Sequence, residues 1–219
     1  MSTKQIELAF VRHPVEEMER RAATMLAELK MRRSVREFSA EPIPRQVLID
    51  CIATAAQAPS GANKQPWTFV LVTDPTRKRE IRQAAEKEEQ AFYRGGAGER
   101  WLRDLAPLGT GWEKPFLETA PALIAVFAQT RGSEATSRHY YVQESVGIAC
   151  GFLIAALHHA GLATLTHTPS PMRFLSELLG RPTHERPYLL LPVGYPAQGC
   201  QVPALARKGL DQLLVENPR

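Results

Sequence analysis

The stretch HYYVQESVGIACGFLIAALHHAG, residues 139–161, most constrains the fold of this chain. It is long enough for a helix, and its residues are apolar on nearly every face. A helix of that kind is stable only when other parts of the protein bury it. Gly147 and Gly151 lie four residues apart on it, so another backbone can approach closely. We therefore expect a central helix in an α+β domain that a second subunit completes.

Helical and extended patterns alternate along the rest of the chain. Proline followed by helically spaced apolar residues predicts helices over 14–30 and 44–57. The pair Asp74-Pro75 is typical of an N-cap and a first helical turn, and it predicts a third helix. Short β-rich apolar runs predict strands at WTFVLV from Trp67, at 120–129, at 163–169 and at 188–196. The sequence shows no internal repeat, and we expect one domain spanning 1–219.

Composition narrows the class of protein. The chain has 219 residues, 44% of them hydrophobic, which is enough for a sizeable core. Its formal net charge is +4, and its basic residues form no run of five, so we expect no nucleic-acid partner. The three cysteines are widely spaced, which indicates neither a disulfide framework nor a zinc site. No apolar run reaches the roughly 18 residues of a membrane span, and we expect a cytoplasmic protein without a membrane partner.

A basic cluster lies between the first two predicted helices. Within MRRSVREFSAEPIP, Arg32, Arg33 and Arg36 occupy three of five positions, and Ser34 stands among them. Guanidinium groups pair bidentately with phosphate, so the cluster could hold an anion, and an equally good interpretation is a solvated basic turn. No dinucleotide-binding or P-loop motif is present, because GGAGER lacks the last glycine of G-x-G-x-x-G. The histidines lack metal-ligand spacing, and we expect no metal.

The segment EEQAFYRGGAGERWLRDLAPLGTGWEK, residues 88–114, combines charges, glycines and two tryptophans. Glu89 and Tyr93 are four residues apart on one helix face, and Lys114 follows the glycine-rich break. A carboxylate, a phenol and an ammonium on a hinged segment could bind a zwitterion. The alternative is that these residues are ordinary solvated surface charges.

Several motifs resemble those of a known family. RRSVREF, APSGANKQPWTFV, ERWLRD with GWEK, LLLPVGYP and VPALARKGLDQ are similar to segments of the iodotyrosine deiodinases, the dehalogenating branch of the FMN-dependent nitroreductase superfamily. The resemblance covers about residue 15 to the C-terminus. It implies a nitroreductase-like fold with a central mixed β-sheet flanked by helices. It further implies an intertwined homodimer that binds FMN at the subunit interface, with 88–114 as an active-site lid.

The same resemblance implies roles for individual residues. The positions that match cofactor contacts are Arg32, Arg33, Ser34, Arg36, Ser60, Gly61, Thr166, His167, Thr168 and Arg207. Thr168 matches a residue whose hydroxyl bonds to flavin N5, which makes one-electron steps accessible. The backbone N–H of Ala62 matches a donor to the substrate phenolate. The residues that match the contacts of the substrate zwitterion are Glu89, Tyr93 and Lys114.

The implied activity is reductive dehalogenation of halotyrosines by stepwise electron transfer from reduced FMN. NAD(P)H or a separate reductase would supply the electrons. A general FMN-dependent NAD(P)H nitroreductase or quinone reductase would share the arginines but would have no use for the zwitterion residues. A protein that only stores or senses FMN is a further alternative. One departure from the family pattern is His167, which occupies a position where we expect threonine.

Overall fold

The computed structural model of this chain describes residues 4–96, 98–132 and 138–217. Backbone contacts divide the chain into two compact units, Met1–Arg32 and Arg33–Arg219. The expectation of a single domain over 1–219 stays a prediction. In the part of the chain that the structure describes, no helix combines the length and the apolar character that crossing a membrane requires.

The N-terminal unit contains helix α1 (Val15–Met31), which confirms the helix predicted over 14–30. Pro14 precedes it, and the carboxylate of Glu17 in its first turn accepts hydrogen bonds from Arg20 and Arg21. None of its residues is buried. Five large apolar side chains of α1 are more than half exposed, namely Val15, Met18, Met25, Leu26 and Met31.

The second unit is built on a four-stranded sheet. Its strands are β1 (Trp67–Val72), β2 (Ala122–Gln129), β3 (Ala163–Thr164) and β4 (Glu185–Gly194), in the spatial order β1-β2-β4-β3. The pairings between these strands are antiparallel, and an isolated bridge between Ser34 and Thr164 is parallel. The predicted α+β class, with a sheet flanked by helices, is confirmed.

The third predicted strand is much shorter than its sequence pattern suggests. The pattern predicts 163–169, whereas β3 comprises only Ala163 and Thr164. The next residue, Leu165, lies opposite Pro192 of β4. Its N–H donates to the Pro192 carbonyl at 3.4 Å, but proline has no N–H to donate in return, so the ladder is weakened there. Pairing resumes at His167, whose N–H and C=O both bond to Leu190.

Helices cover both faces of the sheet. The helices of this unit are α2 (Arg45–Ala55), α3 (Pro75–Ala91), α4 (Glu99–Leu105), α5 (Phe116–Thr119), α6 (Val142–His159) and α7 (Arg173–Leu178), and all except α4 contribute to the hydrophobic clusters on the sheet. Helix α3 begins at the predicted cap, because the side chain of Asp74 accepts the N–H of Arg77 at 2.7 Å.

Two hydrophobic clusters are formed by the alternating side chains of β2. Ile124 and Val126 face a cluster that includes α2 and α6, whereas Leu123, Ala125 and Phe127 face one that includes α3, α5 and α7. This alternation follows from the two-residue period of a strand. Because both faces are covered, every residue from Ala122 to Ala128 is buried.

A single chain buries only one side of helix α6. Val146, Leu153 and Leu157 have no exposed surface, whereas Ile148 is 42% exposed and Phe152 is 41% exposed. The sequence pattern predicts burial on all sides, so part of that prediction depends on a surface that one chain does not supply.

Candidate active site

Residues 33–36, which we call the arginine segment, lie beside the short strand β3. The N–H of Val35 donates to the carbonyl of Thr164 at 3.1 Å, next to the Ser34–Thr164 bridge. The guanidinium of Arg33 donates to the carbonyl of Pro203, which ties the C-terminal segment to this place. Arg207 lies four residues further along and is exposed.

Arg36 is a half-buried cation in this segment. Burial lowers the pKa of its guanidinium, and the nearby phenol of Tyr93 opposes that shift. Within the described residues its guanidinium takes part in no hydrogen bond or ion pair. Arg32 is the last residue of the N-terminal unit, where its N–H donates to the carbonyl of Leu29 at 3.3 Å.

Thr166, His167 and Thr168 continue the chain beyond β3. Thr166 and Thr168 are exposed, and His167 between them is 6% exposed. Side chains alternate along an extended chain, so the imidazole points away from the face that presents the two hydroxyl groups. The imidazole ring packs edge to face against the ring of Phe116, with 5.5 Å between the ring centroids. Thr168 lines a cavity of about 760 Å³.

The turn APSGA has an unusual backbone. Ala62 adopts a left-handed conformation with φ 48° and ψ 33°, which is uncommon for a residue that has a Cβ. In the described parts of the chain, the exposed N–H of Ala62 has no acceptor. The N–H of Gly61 donates to Ser145 Oγ at 3.4 Å, and a Cβ at Gly61 would lie 2.9 Å from the ring of Tyr141. Ser60 Oγ accepts the N–H of Gln65.

Glu89, Tyr93 and Lys114 converge, although Lys114 is far from the other two in sequence. Lys114 Nζ lies 3.2 Å from Glu89 Oε2 and 5.8 Å from the centroid of the Tyr93 ring. The ammonium also donates to the carbonyl of Gly111, and the Tyr93 hydroxyl donates to the carbonyl of Thr110. The arrangement therefore joins one anion, one cation and one phenol at a single place.

The ionisation of this cluster depends on its burial. Desolvation lowers the pKa of Lys114, and the carboxylate of Glu89 partly restores it. Desolvation raises the pKa of Tyr93, and Glu89 raises it further. Burial lowers the pKa of His167 to about 3, and the cations of Lys114 and Arg36 add to this effect. The imidazole is therefore neutral at pH 7, and the carboxylate of Glu89 favours the charged form of Lys114.

Glu86, which none of the sequence motifs includes, binds the backbone of Lys114. Its Oε1 accepts the backbone N–H of Lys114 at 2.7 Å and lies 2.8 Å from Arg82 Nε. The available signal is its position three residues before Glu89, which places both carboxylates on the same side of α3. Among residues 4–96, 98–132 and 138–217, no group of three metal-ligating side chains is found.

Comparison with known proteins supports a flavoenzyme fold and a particular group within it. Residues 29–195 match the model of the nitroreductase family. The chain is 57% identical to an iodotyrosine deiodinase of Haliscomenobacter hydrossis, with 91% of each chain covered. It is 47% identical to iodotyrosine deiodinase 1 of Rattus norvegicus, covering 98% of this chain and 76% of that one.

A solved structure agrees with these relatives. The crystal structure of oxidized iodotyrosine deiodinase bound to FMN and 3-iodo-L-tyrosine matches with a TM-score of 0.75 and 33% identity. The match covers 89% of this chain and 99% of that one. The chain therefore belongs to the nitroreductase family, and within it to the group of the iodotyrosine deiodinases.

Proposed function

We propose that this protein binds FMN and removes the halogen from halotyrosines. The reaction converts a halotyrosine, two electrons and a proton into tyrosine and a halide ion. Bound FMN, once reduced, supplies the two electrons in single steps. The relatives named iodotyrosine deiodinase and the related structure that holds FMN and 3-iodo-L-tyrosine support this activity.

The convergence of Glu89, Tyr93 and Lys114 is the observation that most favours an amino-acid substrate. Glu89 binds the ammonium of the halotyrosine, and Lys114 binds its carboxylate, with the Tyr93 hydroxyl as a further polar contact. The 3.2 Å separation between Glu89 Oε2 and Lys114 Nζ supports assigning both residues to one small site. A general nitroaromatic substrate has neither charge and would not need this arrangement.

The residues of the arginine segment fit a phosphate-bearing flavin. A half-buried guanidinium without a partner in the described residues, that of Arg36, favours a bound anion. Arg32, Arg33, Ser34 and Arg207 hold the phosphate side of the cofactor, and the exposed hydroxyl groups of Thr166 and Thr168 face its ring. The backbone N–H and C=O of His167 both bond to Leu190, so neither is available to the cofactor. His167 therefore supports the cofactor site by packing beneath residues 166–168.

The turn at Ser60–Ala62 completes the site. The free N–H of Ala62 donates to the phenolate oxygen of the substrate, and Ser60 and Gly61 contact the flavin. A halogen lowers the pKa of a phenol, so a site that binds phenolate favours halotyrosine over tyrosine. Within the described residues, no hydrogen bond joins this turn to Arg33, Ser34 or Arg36. We assign the two halves of the site to the two subunits of a homodimer, and the exposed apolar side chains of Ile148 and Phe152 on α6 support a second subunit.

The remaining features follow from this arrangement. Residues 1–219 act as one FMN-binding domain, and 88–114 closes over the substrate as a lid that excludes water. NAD(P)H or a partner reductase supplies the electrons. Cys51 and Cys150 are buried free thiols, which suits a reducing compartment such as the cytoplasm.

An anaerobic stoichiometry experiment tests the proposal. The FMN-loaded protein is reduced with dithionite and mixed with 3-iodotyrosine while flavin absorbance is followed. We expect reoxidation of the flavin together with one tyrosine and one iodide for each flavin oxidised. The same mixture with tyrosine in place of iodotyrosine is the control and leaves the flavin reduced.

A different result identifies the alternative function. If 3-iodotyrosine leaves the flavin reduced while a nitroaromatic compound reoxidises it, the protein is a general nitroreductase. If neither compound reoxidises the flavin, a storage or sensing role replaces both enzymatic proposals.

A further inference from the structure

Glu89 and Lys114 neutralise each other inside the protein. Their side chains are 14% and 4% exposed, and 3.2 Å separates the carboxylate oxygen from the ammonium nitrogen. The ammonium has two further neighbours, the carbonyl of Gly111 and the hydroxyl of Thr110 at 3.5 Å. Without substrate, each charged group thus has the other as its counterion.

In the described part of the chain, the other carboxylate that favours the charged form of Lys114 is that of Glu86, and its effect is smaller than that of Glu89. The carboxylate of Glu86 is already engaged by Arg82 and by the backbone N–H of Lys114. In the described part of the chain, Glu89 is the one carboxylate that forms an ion pair with Lys114. The cation of Arg36 disfavours the charged form of the lysine.

A ligand must therefore exchange partners with this ion pair. A zwitterion supplies an ammonium for Glu89 and a carboxylate for Lys114, so both buried charges remain paired. A ligand with a single charge engages one residue and leaves the other buried without a counterion, which is strongly unfavourable. A neutral ligand leaves the original pair intact.

We propose, on the basis of the proposed function, that the Glu89–Lys114 pair selects ligands by the number of their side-chain charges. The site accepts halophenols whose side chain has both opposite charges or none, and it rejects those with one. This charge selection differs from simple additive recognition, in which each added charge would improve binding. It also identifies uncharged halophenols as a second class of ligand.

Four ligands test the charge selection in the FMN-loaded wild-type protein. They are 3-iodotyrosine, 3-iodotyramine, 3-(3-iodo-4-hydroxyphenyl)propanoate and 2-iodophenol, with quenching of flavin fluorescence as the measure of binding. We expect both singly charged compounds to bind about 100-fold more weakly than 3-iodotyrosine. We also expect them to bind no more tightly than 2-iodophenol, although they are larger. Affinities of both singly charged compounds that are ten or more times higher than that of 2-iodophenol would overturn the proposal.

A substitution at Glu89 provides a second test, in which the affinity for one ligand should rise. In Glu89→Gln the carboxylate no longer competes for Lys114, so the propanoate should bind about tenfold more tightly than to wild type. The same variant should bind 3-iodotyrosine more weakly. Glu88→Gln is the matched control, because Glu88 is the adjacent carboxylate on α3 and forms no ion pair within the described residues. Retained FMN content shows that each variant is folded.

The outcomes separate this proposal from the proposed function. If 3-iodotyrosine binds and is dehalogenated but the propanoate binds Glu89→Gln no better than wild type, the charge selection alone is wrong. If the wild-type protein binds none of the four ligands, both proposals are wrong.

Discussion

His167 is a buried imidazole, and its Nε2 atom has no hydrogen-bond partner among the described residues. Burial lowers its pKa from 6.5 to about 3, and the unfolded chain has the ordinary value. Between these two pH values the unfolded state binds more protons than the folded state. The free energy of unfolding therefore decreases as the pH falls through this range.

Replacing His167 should flatten this pH dependence. From pH 7 to pH 5 we expect wild-type protein to lose about 2 kcal/mol of stability through this residue, and His167→Thr to lose none of that amount. Urea unfolding of the FMN-loaded protein at both pH values, at one protein concentration, measures the difference. His13→Thr is the control, because His13 belongs to neither hydrophobic cluster. An equal pH dependence in His167→Thr and wild type would contradict the expectation.

At the scale of elements, α3 holds the chain around α5 through a series of polar contacts. Arg82 lies between Glu86 and Glu118, at 2.8 Å and 3.3 Å, and Glu86 accepts the N–H of Lys114. The buried ammonium of Lys78 donates to the carbonyls of Glu118 and Ala120. These contacts determine where Lys114 lies relative to Glu89, which is on the same helix as Glu86.

Removing the Glu86 carboxylate should impair substrate binding through Lys114. For Glu86→Ala we expect the KM for 3-iodotyrosine to rise about tenfold with little change in kcat, because a charge-assisted hydrogen bond is lost. Glu86→Gln keeps an acceptor for the Lys114 N–H and should stay within about threefold of wild type. Glu80→Ala, which removes a surface ion pair with Arg77 on the same helix, is the control. Equal defects in Glu86→Gln and Glu86→Ala would rule out a role for the hydrogen bond.

Elements with local signals could be predicted from the sequence. Asp74 and Pro75 are adjacent, so the start of α3 depends on neighbouring residues and is predicted at the right place. The early end of β3 depends on Pro192, which is on another strand and is not visible in a local pattern.

The candidate site shows the same contrast. Glu89 and Tyr93 are four residues apart, which is a local signal, and the position of Lys114 after the glycine-rich break already groups it with them in the sequence. The structure places Tyr93 beyond the end of α3, in the turn Phe92–Gly96. The hydrogen bond from Lys114 to Glu86 spans 28 residues, and no sequence spacing indicates it. The left-handed backbone of Ala62 could not be predicted either, because alanine usually avoids that conformation.

At the scale of the whole molecule, exposed apolar side chains indicate a missing partner surface. On α6 these are Ile148 and Phe152, and near the C-terminus they include Leu210, Leu213 and Val215. Clusters of exposed large apolar side chains often mark an interface. A Cβ added at Gly151, next to Phe152, would have no neighbour within 4 Å in the described chain, so this part of α6 has room for a second subunit.

A charge on this surface should separate the subunits. For Phe152→Asp we expect a mass near 24.4 kDa, that of one chain, together with loss of bound FMN, because both subunits of the proposed dimer would contribute to the cofactor site. Light scattering after size-exclusion chromatography and the ratio of flavin to protein absorbance measure the two effects. Lys87→Asp, on the exposed side of α3, is the control. A Phe152→Asp dimer that retains FMN would contradict this interface.

The burial of the Glu89–Lys114 pair has a consequence for the conditions in which the protein can operate. Dissolved ions weaken attraction between charges that face water, and they have little effect on charges that the protein shields. With 14% and 4% of their side chains exposed, these two residues are largely shielded. Recognition of an amino-acid substrate at this site would therefore be nearly as strong in a concentrated brine as in a dilute medium.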